Sequence, residues 1–194
     1  LMTILMPLLG ILILITQIDP YKIKITSLAT TTITFILSAF LYIFFEPHSM
    51  NRFQYLFRMK IIPYLNIEYY IGIDSISLYL ILLTTFLTFI CILASWSSIS
   101  SQIKEYMILF LLLETLMLNV FCVLDIVLFY IFFESVLIPM FLIIGIWGAR
   151  ERKIYAALQF FLYTLTGSLF MLLAIIVIYI ETGTTDYLVI LTYD

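Results

Sequence analysis

Charge is scarce in this chain: 11% of its 194 residues are Asp, Glu, Lys or Arg, against 64% hydrophobic, and the mean hydropathy is +1.20. A water-soluble domain of this length has far more polar surface to cover, so composition argues against a soluble fold. The nine Lys and Arg are scattered over several loops and form no basic stripe, which removes nucleic acid from the partners. Cysteine is almost missing. Cys91 and Cys122 stand in apolar runs with no CxxC and no nearby histidine, which argues against zinc, iron–sulfur ligation and a disulfide framework. They read as two buried thiols packing as small hydrophobes. The one histidine, His48, falls in a loop and reads as solvated. There is no P-loop, no Rossmann fingerprint and no nucleophile–base pair, and the Gly145-x-x-Gly148 spacing is too weak to carry chemistry.

Targeting features are equally sparse. No Arg-rich amphipathic presequence and no small-residue cleavage site precede the second span, so Leu1–Ile18 reads as a retained membrane segment. Leu1 ahead of Met2 points to an unusual initiation codon, to processing or to an incomplete chain. The heavy use of Ile, Leu, Phe and Tyr fits an AT-rich organellar genome.

What is present is a series of long apolar runs. A helix needs roughly 20 apolar residues to cross the hydrocarbon core. Leu1–Ile18 is the first candidate, ended by Asp19-Pro20, and Thr26–Phe45 the second, ended by Glu46-Pro47-His48. The stretch from Met50 to Tyr70, with Arg52, Arg58, Lys60, Pro63 and Glu68, is polar enough to lie outside. Asp74–Trp96 is the third span, its Trp96 suited to an interface belt. The apolar tract from Tyr106 to Trp147 is too long for one crossing. Asp125 breaks it into a tight hairpin of Tyr106–Val123 and Ile126–Trp147. After the basic knot Arg150-Glu151-Arg152-Lys153, Tyr155–Ile180 is the sixth span. The fold class is therefore all-α, a polytopic transmembrane bundle of about six helices, dividing into residues 1–73 and 74–194. Lys22, Lys24, Lys104, Arg150, Arg152 and Lys153 share one face, and Arg52, Arg58 and Lys60 the other. By the positive-inside rule the richer face is the matrix or cytoplasm.

The candidate chemistry is what is polar inside the spans. Glu114 sits mid-way along the fourth span and Glu134 mid-way along the fifth, which places both carboxyls near the midplane. An ionised carboxylate there costs about 2.5–3.5 kcal/mol or more, so it pairs with a cation, contacts water or stays protonated. These are the properties of a proton relay. The other reading is a neutral glutamate hydrogen-bonded to a neighbouring helix as glue. No basic residue lies within any span to balance Glu134. Pro139 either frees a carbonyl toward a hydrated cavity or only kinks the helix. The hydroxyls of Tyr163-Thr164-Leu165-Thr166-Gly167-Ser168 carry water or allow close packing, and packing is the favoured reading. Asp74 reads as a helix N-terminal acid or as an ion entry point.

The run from Phe129 to Met140, Phe-Tyr-Ile-Phe-Phe-Glu-Ser-Val-Leu-Ile-Pro-Met, is followed by Gly145-Ile146-Trp147-Gly148 and the basic knot. With Gln159–Thr164, Thr182–Asp186 and Gly72–Ser77, it resembles the chain 4 family of NADH:ubiquinone oxidoreductase, the mitochondrial respiratory complex I. The resemblance is strong from about Tyr69 to Thr185 and weak before that. It implies an antiporter-like membrane-arm subunit built on two inverted five-helix repeats, the first beginning at about residues 106–180. It implies that Glu134 pairs with a lysine on a seventh helix in proton translocation, and that Glu114 matches a second family acid. It further implies that the chain binds no cofactor. NADH, FMN, iron–sulfur clusters and ubiquinone are handled elsewhere in the complex. The family has about fourteen helices, so the lysines of the seventh and eighth helices and the twelfth-helix residue are not in this chain. A second polypeptide completing the subunit, other membrane-arm subunits and membrane lipids are the expected partners, in the mitochondrial inner membrane. A Mrp-type cation/proton antiporter subunit and a structural scaffold are the alternatives.

Overall fold

The computed structural model describes residues 2–46, 52–62 and 67–192. The readings placed on Pro47, His48 and Pro63 lie outside the described residues. Five helices are long and apolar enough to cross a membrane: α2 (Pro20–Ile43), α3 (Ser75–Ser98), α4 (Ile103–Cys122), α5 (Ile126–Trp147) and α6 (Lys153–Thr182). The chain is a multi-pass membrane protein. The first apolar segment forms a shorter helix, α1 (Met2–Thr16), of 15 residues. At 1.5 Å per residue it is about 22 Å long, less than the ~30 Å hydrocarbon thickness. By contacts the chain divides into two compact units: Leu1–Arg52 with Asp74–Phe121, and Phe53–Ile73 with Cys122–Asp194.

The first unit holds α1 to α4, and its polarity is inverted relative to a soluble bundle. On α2 the inward face carries Ser27, Thr31, Thr34 and Ser38, all buried, at spacings of four, three and four residues. The outward face carries Ile25, Ile33, Ile36 and Phe40, all exposed. Such a helix is stable where the surroundings are lipid and each hydroxyl has a partner. The hydroxyls of Ser27, Thr31, Thr34 and Ser38 each donate to a carbonyl three or four residues back, at 2.7–3.1 Å. Helix α2 begins six residues earlier than its apolar run, because Pro20 is well tolerated in the first turn. Helix α3 starts at the Asp74 cap, whose carboxylate accepts the Ser75 N–H at 2.7 Å and whose carbonyl accepts the Leu78 N–H at 2.9 Å. Cys91 lies on its exposed side, whereas a buried thiol was expected. On α4, Met107, Leu111, Glu114 and Leu118 form the fully buried stripe. A Cβ at Gly10 would stand 2.8 Å from Thr30 Cγ2 and 3.1 Å from Leu111 Cδ1, so this glycine permits close approach of helices.

Lysines seal helix C-termini, where four carbonyls lack intrahelical partners. Lys24 Nζ donates to Trp96 O at 2.6 Å, at the end of α3, and Lys104 Nζ donates to Ile15 O and Gln17 O at 2.7 and 3.0 Å, at the end of α1.

The second unit contains a feature that hydropathy did not signal. The polar stretch expected outside the membrane folds into an antiparallel hairpin of β1 (Gln54–Ile62) and β2 (Ile67–Ile73), pairing Phe57 with Ile71, Arg58 with Tyr70 and Lys60 with Glu68. The hairpin is tied on by Leu124 N–H, which donates to Tyr70 O at 2.8 Å. Gly72 fits closely there: a Cβ would stand 2.7 Å from Leu124 Cδ1 and 2.8 Å from Leu56 Cδ2, so both leucine ends would have to shift. Helix α5 packs on α6 through the Phe141 and Phe161 rings, 5.6 Å apart, and through Ala157, which is fully buried. Lys153 Nζ donates to Ile146 O at 2.5 Å near the end of α5. Helix α6 ends at Gly183, whose φ of 67° is the left-handed conformation that glycine adopts without penalty. A short α7 (Tyr187–Ile190) follows.

Candidate functional site

The two acids picked out from sequence lie in different units, and each is built from its own neighbours. Glu114 is the twelfth of the 20 residues of α4 and fully buried. It belongs to the stripe that packs the first unit, so burial follows from helical periodicity and not from its chemistry. Its Oε1 accepts the Thr34 hydroxyl of α2 at 3.0 Å. Its Oε2 is buried with no hydrogen-bond partner among the described residues. A buried carboxylate oxygen left unpaired is costly, so the arrangement calls for a proton or a further donor at that atom.

Further polar contacts lie within the same unit. Ser38 Oγ and Thr85 Oγ1 lie 2.8 Å apart between α2 and α3. Within α4, Thr115 donates to Leu111 O and Asn119 to Thr115 O, both at 2.8 Å. These partners were absent from the sequence reading, although the spacing of Ser27, Thr31, Thr34 and Ser38 could have revealed one polar helix face.

Glu134 is the ninth of the 22 residues of α5 and is half-buried. Its Oε2 is shielded and likewise has no hydrogen-bond partner among the described residues. Ser135, next to it, spends its hydroxyl on Ile131 O at 2.7 Å. Pro139 is buried inside α5, which runs on through it to Trp147. The hydroxyls of Thr164, Thr166 and Ser168 donate to carbonyls of α6 at 2.8–2.9 Å. A Cβ at Gly167 would meet nothing within 4 Å, so the expected packing at this glycine is not made within the described residues.

What holds Glu134 in place is the start of its helix. Asp125, the predicted break, is the α5 N-cap: its Oδ1 accepts the Val127 and Leu128 N–H groups, each at 3.0 Å. Its Oδ2 accepts the Thr185 hydroxyl at 2.5 Å, and Ile126 N–H donates to Thr185 O at 3.0 Å. Beside it is a cavity of about 150 Å³ lined by Arg58, Glu68, Tyr70, Asp125, Thr184 and Asp186. Arg58 bridges Glu68 and, at 3.5 Å, Asp186, and lies over the Tyr70 ring with Cζ 5.1 Å from its centroid. The hydrogen bond it donates to Glu68 holds the Arg58 guanidinium above its ordinary pKa, so its charge is fixed. This cluster had no signature in sequence because its members come from three separate segments.

Comparison with known proteins adds an independent line. Residues 1–125 match the family model described as NADH-ubiquinone oxidoreductase chain 4, amino terminus. Residues 123–194 match the one described as NADH:quinone oxidoreductase/Mrp antiporter, TM. NADH-ubiquinone oxidoreductase chain 4 of Arabidopsis thaliana is 55% identical over 98% of this chain and 39% of its own length. The Marchantia polymorpha protein is 54% identical over the same shares, and that of Prototheca wickerhamii 67% over 62% of this chain and 23% of its own. The chain thus spans about two fifths of the length of the first two. Among solved structures, a chain of respiratory complex I from Thermus thermophilus with bound NADH superposes with a TM-score of 0.83. Its identity is 24%, over 98% of this chain and 38% of that one. A chain of the archaeal membrane-bound sulfane sulfur reductase gives 0.76 at 20% identity, over 95% and 28%. At those identities the structures speak for the fold alone.

Proposed function

We infer the function from one premise: this chain belongs to the NADH-ubiquinone oxidoreductase chain 4 family. On that basis it is part of a proton-translocating membrane-arm subunit of respiratory complex I, in the mitochondrial inner membrane. It couples electron transfer from NADH to ubiquinone with proton movement and has no redox site of its own. NADH, FMN, iron–sulfur clusters and ubiquinone are bound by other subunits. Its partners are the other membrane-arm subunits and membrane lipid. The basic face with Lys22, Lys24, Lys104, Arg150, Arg152 and Lys153 is the matrix side.

The observation that carries this reading is the pair of mid-helix glutamates whose Oε2 atoms are shielded and unpartnered among the described residues. Groups of this kind mark proton and ion pathways in membranes. The missing partner of Glu134 is a cation supplied from outside these 194 residues. In the assembled complex Glu134→Gln keeps shape and hydrogen-bonding capacity but cannot release a proton. Assembly is retained while proton pumping and coupled quinone reduction fall sharply. Wild-type pumping in an assembled Glu134→Gln complex refutes the relay and leaves a scaffold. The match of residues 123–194 to a description shared with Mrp antiporters favours a second reading, cation/proton exchange. Exchange in NADH-free liposomes supports that reading, and co-purification with redox subunits supports the first.

A further inference from the structure

We propose that Thr34 is a positioning residue whose single hydroxyl proton is re-aimed each time Glu114 gains or loses a proton. The inference rests on the relay reading above and assigns to α2 a part in it.

A threonine hydroxyl has one proton to donate. Thr34 Oγ1 has two acceptors within reach, Thr31 O at 2.9 Å and Glu114 Oε1 at 3.0 Å. It cannot serve both fully. The Thr31 carbonyl is mid-helix and already accepts a backbone N–H, so turning the hydroxyl away from it leaves no orphan.

The charge on Glu114 then decides the direction. When the carboxyl is ionised, Oε1 draws the Thr34 proton, because hydrogen bonds to a charged acceptor are about twice as strong as neutral ones. A proton delivered by water to Oε2, the buried atom without a partner, forms the Oε2–H bond. Oε1 is then no better an acceptor than a peptide carbonyl, and the Thr34 hydroxyl swings back to Thr31 O. Release of the proton to water reverses both steps. Only a hydroxyl rotates, so a fully buried acid changes charge without movement of the backbone.

Three variants of the assembled complex separate this proposal from the reading beneath it. Proton pumping per electron pair and the infrared carboxylate band lost in Glu114→Gln are the readouts. Thr34→Val keeps the shape and removes the proton. Pumping should fall about tenfold, the factor carried by one hydrogen bond to a charged group, and the band should move toward that of a free carboxylate. Thr34→Ser should restore both. Normal pumping and an unmoved band in Thr34→Val, with Glu114→Gln impaired, overturn the positioning role alone. Normal pumping in Glu114→Gln overturns the relay role of Glu114 itself. If Thr34→Val fails to assemble, Thr34→Ala is read in its place, and normal pumping there overturns the proposal equally.

Discussion

Replacing Asp125 by alanine should loosen the start of α5 by an amount that can be worked out from its contacts. The side chain is 2% exposed and accepts three hydrogen bonds, from the Val127 and Leu128 amides and from the Thr185 hydroxyl. Loss of an N-cap costs ~0.5–2 kcal/mol. The Thr185 hydroxyl, buried and deprived of its acceptor, adds ~1 kcal/mol. Together these reach about 1.5–3 kcal/mol, and at 1.4 kcal/mol per factor of ten the first turn should open roughly 10- to 140-fold more often. Hydrogen–deuterium exchange of the assembled complex reads this directly, on a peptide spanning residues 124–130. Asp125→Asn is the control, because asparagine caps as well as aspartate and keeps the Oδ1 acceptor. It should change exchange by tenfold or less, and Thr185→Val should reproduce the remaining share. Unchanged protection of Val127 and Leu128 in Asp125→Ala would refute the view that this carboxylate, and not the packing of α5, fixes where the helix begins. The start of α5 in turn sets the depth of Glu134.

Other expectations are as direct. Gly10→Ala should lower stability by ~1–3 kcal/mol, because its Cβ overlaps Thr30 and Leu111, and a thermal melt of the detergent-solubilised complex measures it. A cysteine at position 151 should react with impermeant thiol reagent from the matrix side alone, and labelling from the intermembrane side reverses the proposed orientation. Arg58→Leu should leave Glu68 and Asp186 facing one another without their shared cation, and limited proteolysis should then cut within residues 54–62 sooner than in Arg58→Lys.

Helix α5 was legible to the residue, Ile126–Trp147, because the apolar tract is too long for one crossing and Asp125, near its middle, is a favoured N-cap residue. The same reasoning placed α3 after Asp74. Apolar content failed at α2, where a first turn containing Pro20, Lys22 and Lys24 is as helical as the rest but does not look like a membrane segment. It also failed for the β1–β2 hairpin, since strand pairing depends on a partner and on Tyr70 meeting Leu124 from another part of the chain. Glu114 and Glu134 were visible as charges in apolar surroundings. Their environments were not visible: the Thr34 contact joins residues 80 apart, and the hydroxyls of α2 look in sequence like mere dilution of an apolar span.

The lysine seals on helix ends set a timetable for biosynthesis. Lys104 and its acceptor at Ile15 are 89 residues apart. At about 5–20 residues per second, translation takes roughly 4–18 s to supply that ammonium after Ile15 has been made. Throughout this interval the last turn of α1, already the shortest of the apolar helices, leaves the Ile15 carbonyl unsealed by Lys104. The end of α3 is in the opposite situation, because Lys24 precedes Trp96 by 72 residues and is waiting when that carbonyl emerges. Nascent chains released before Lys104 should therefore carry a sealed end of α3 beside a frayed end of α1, although α1 is made before α3.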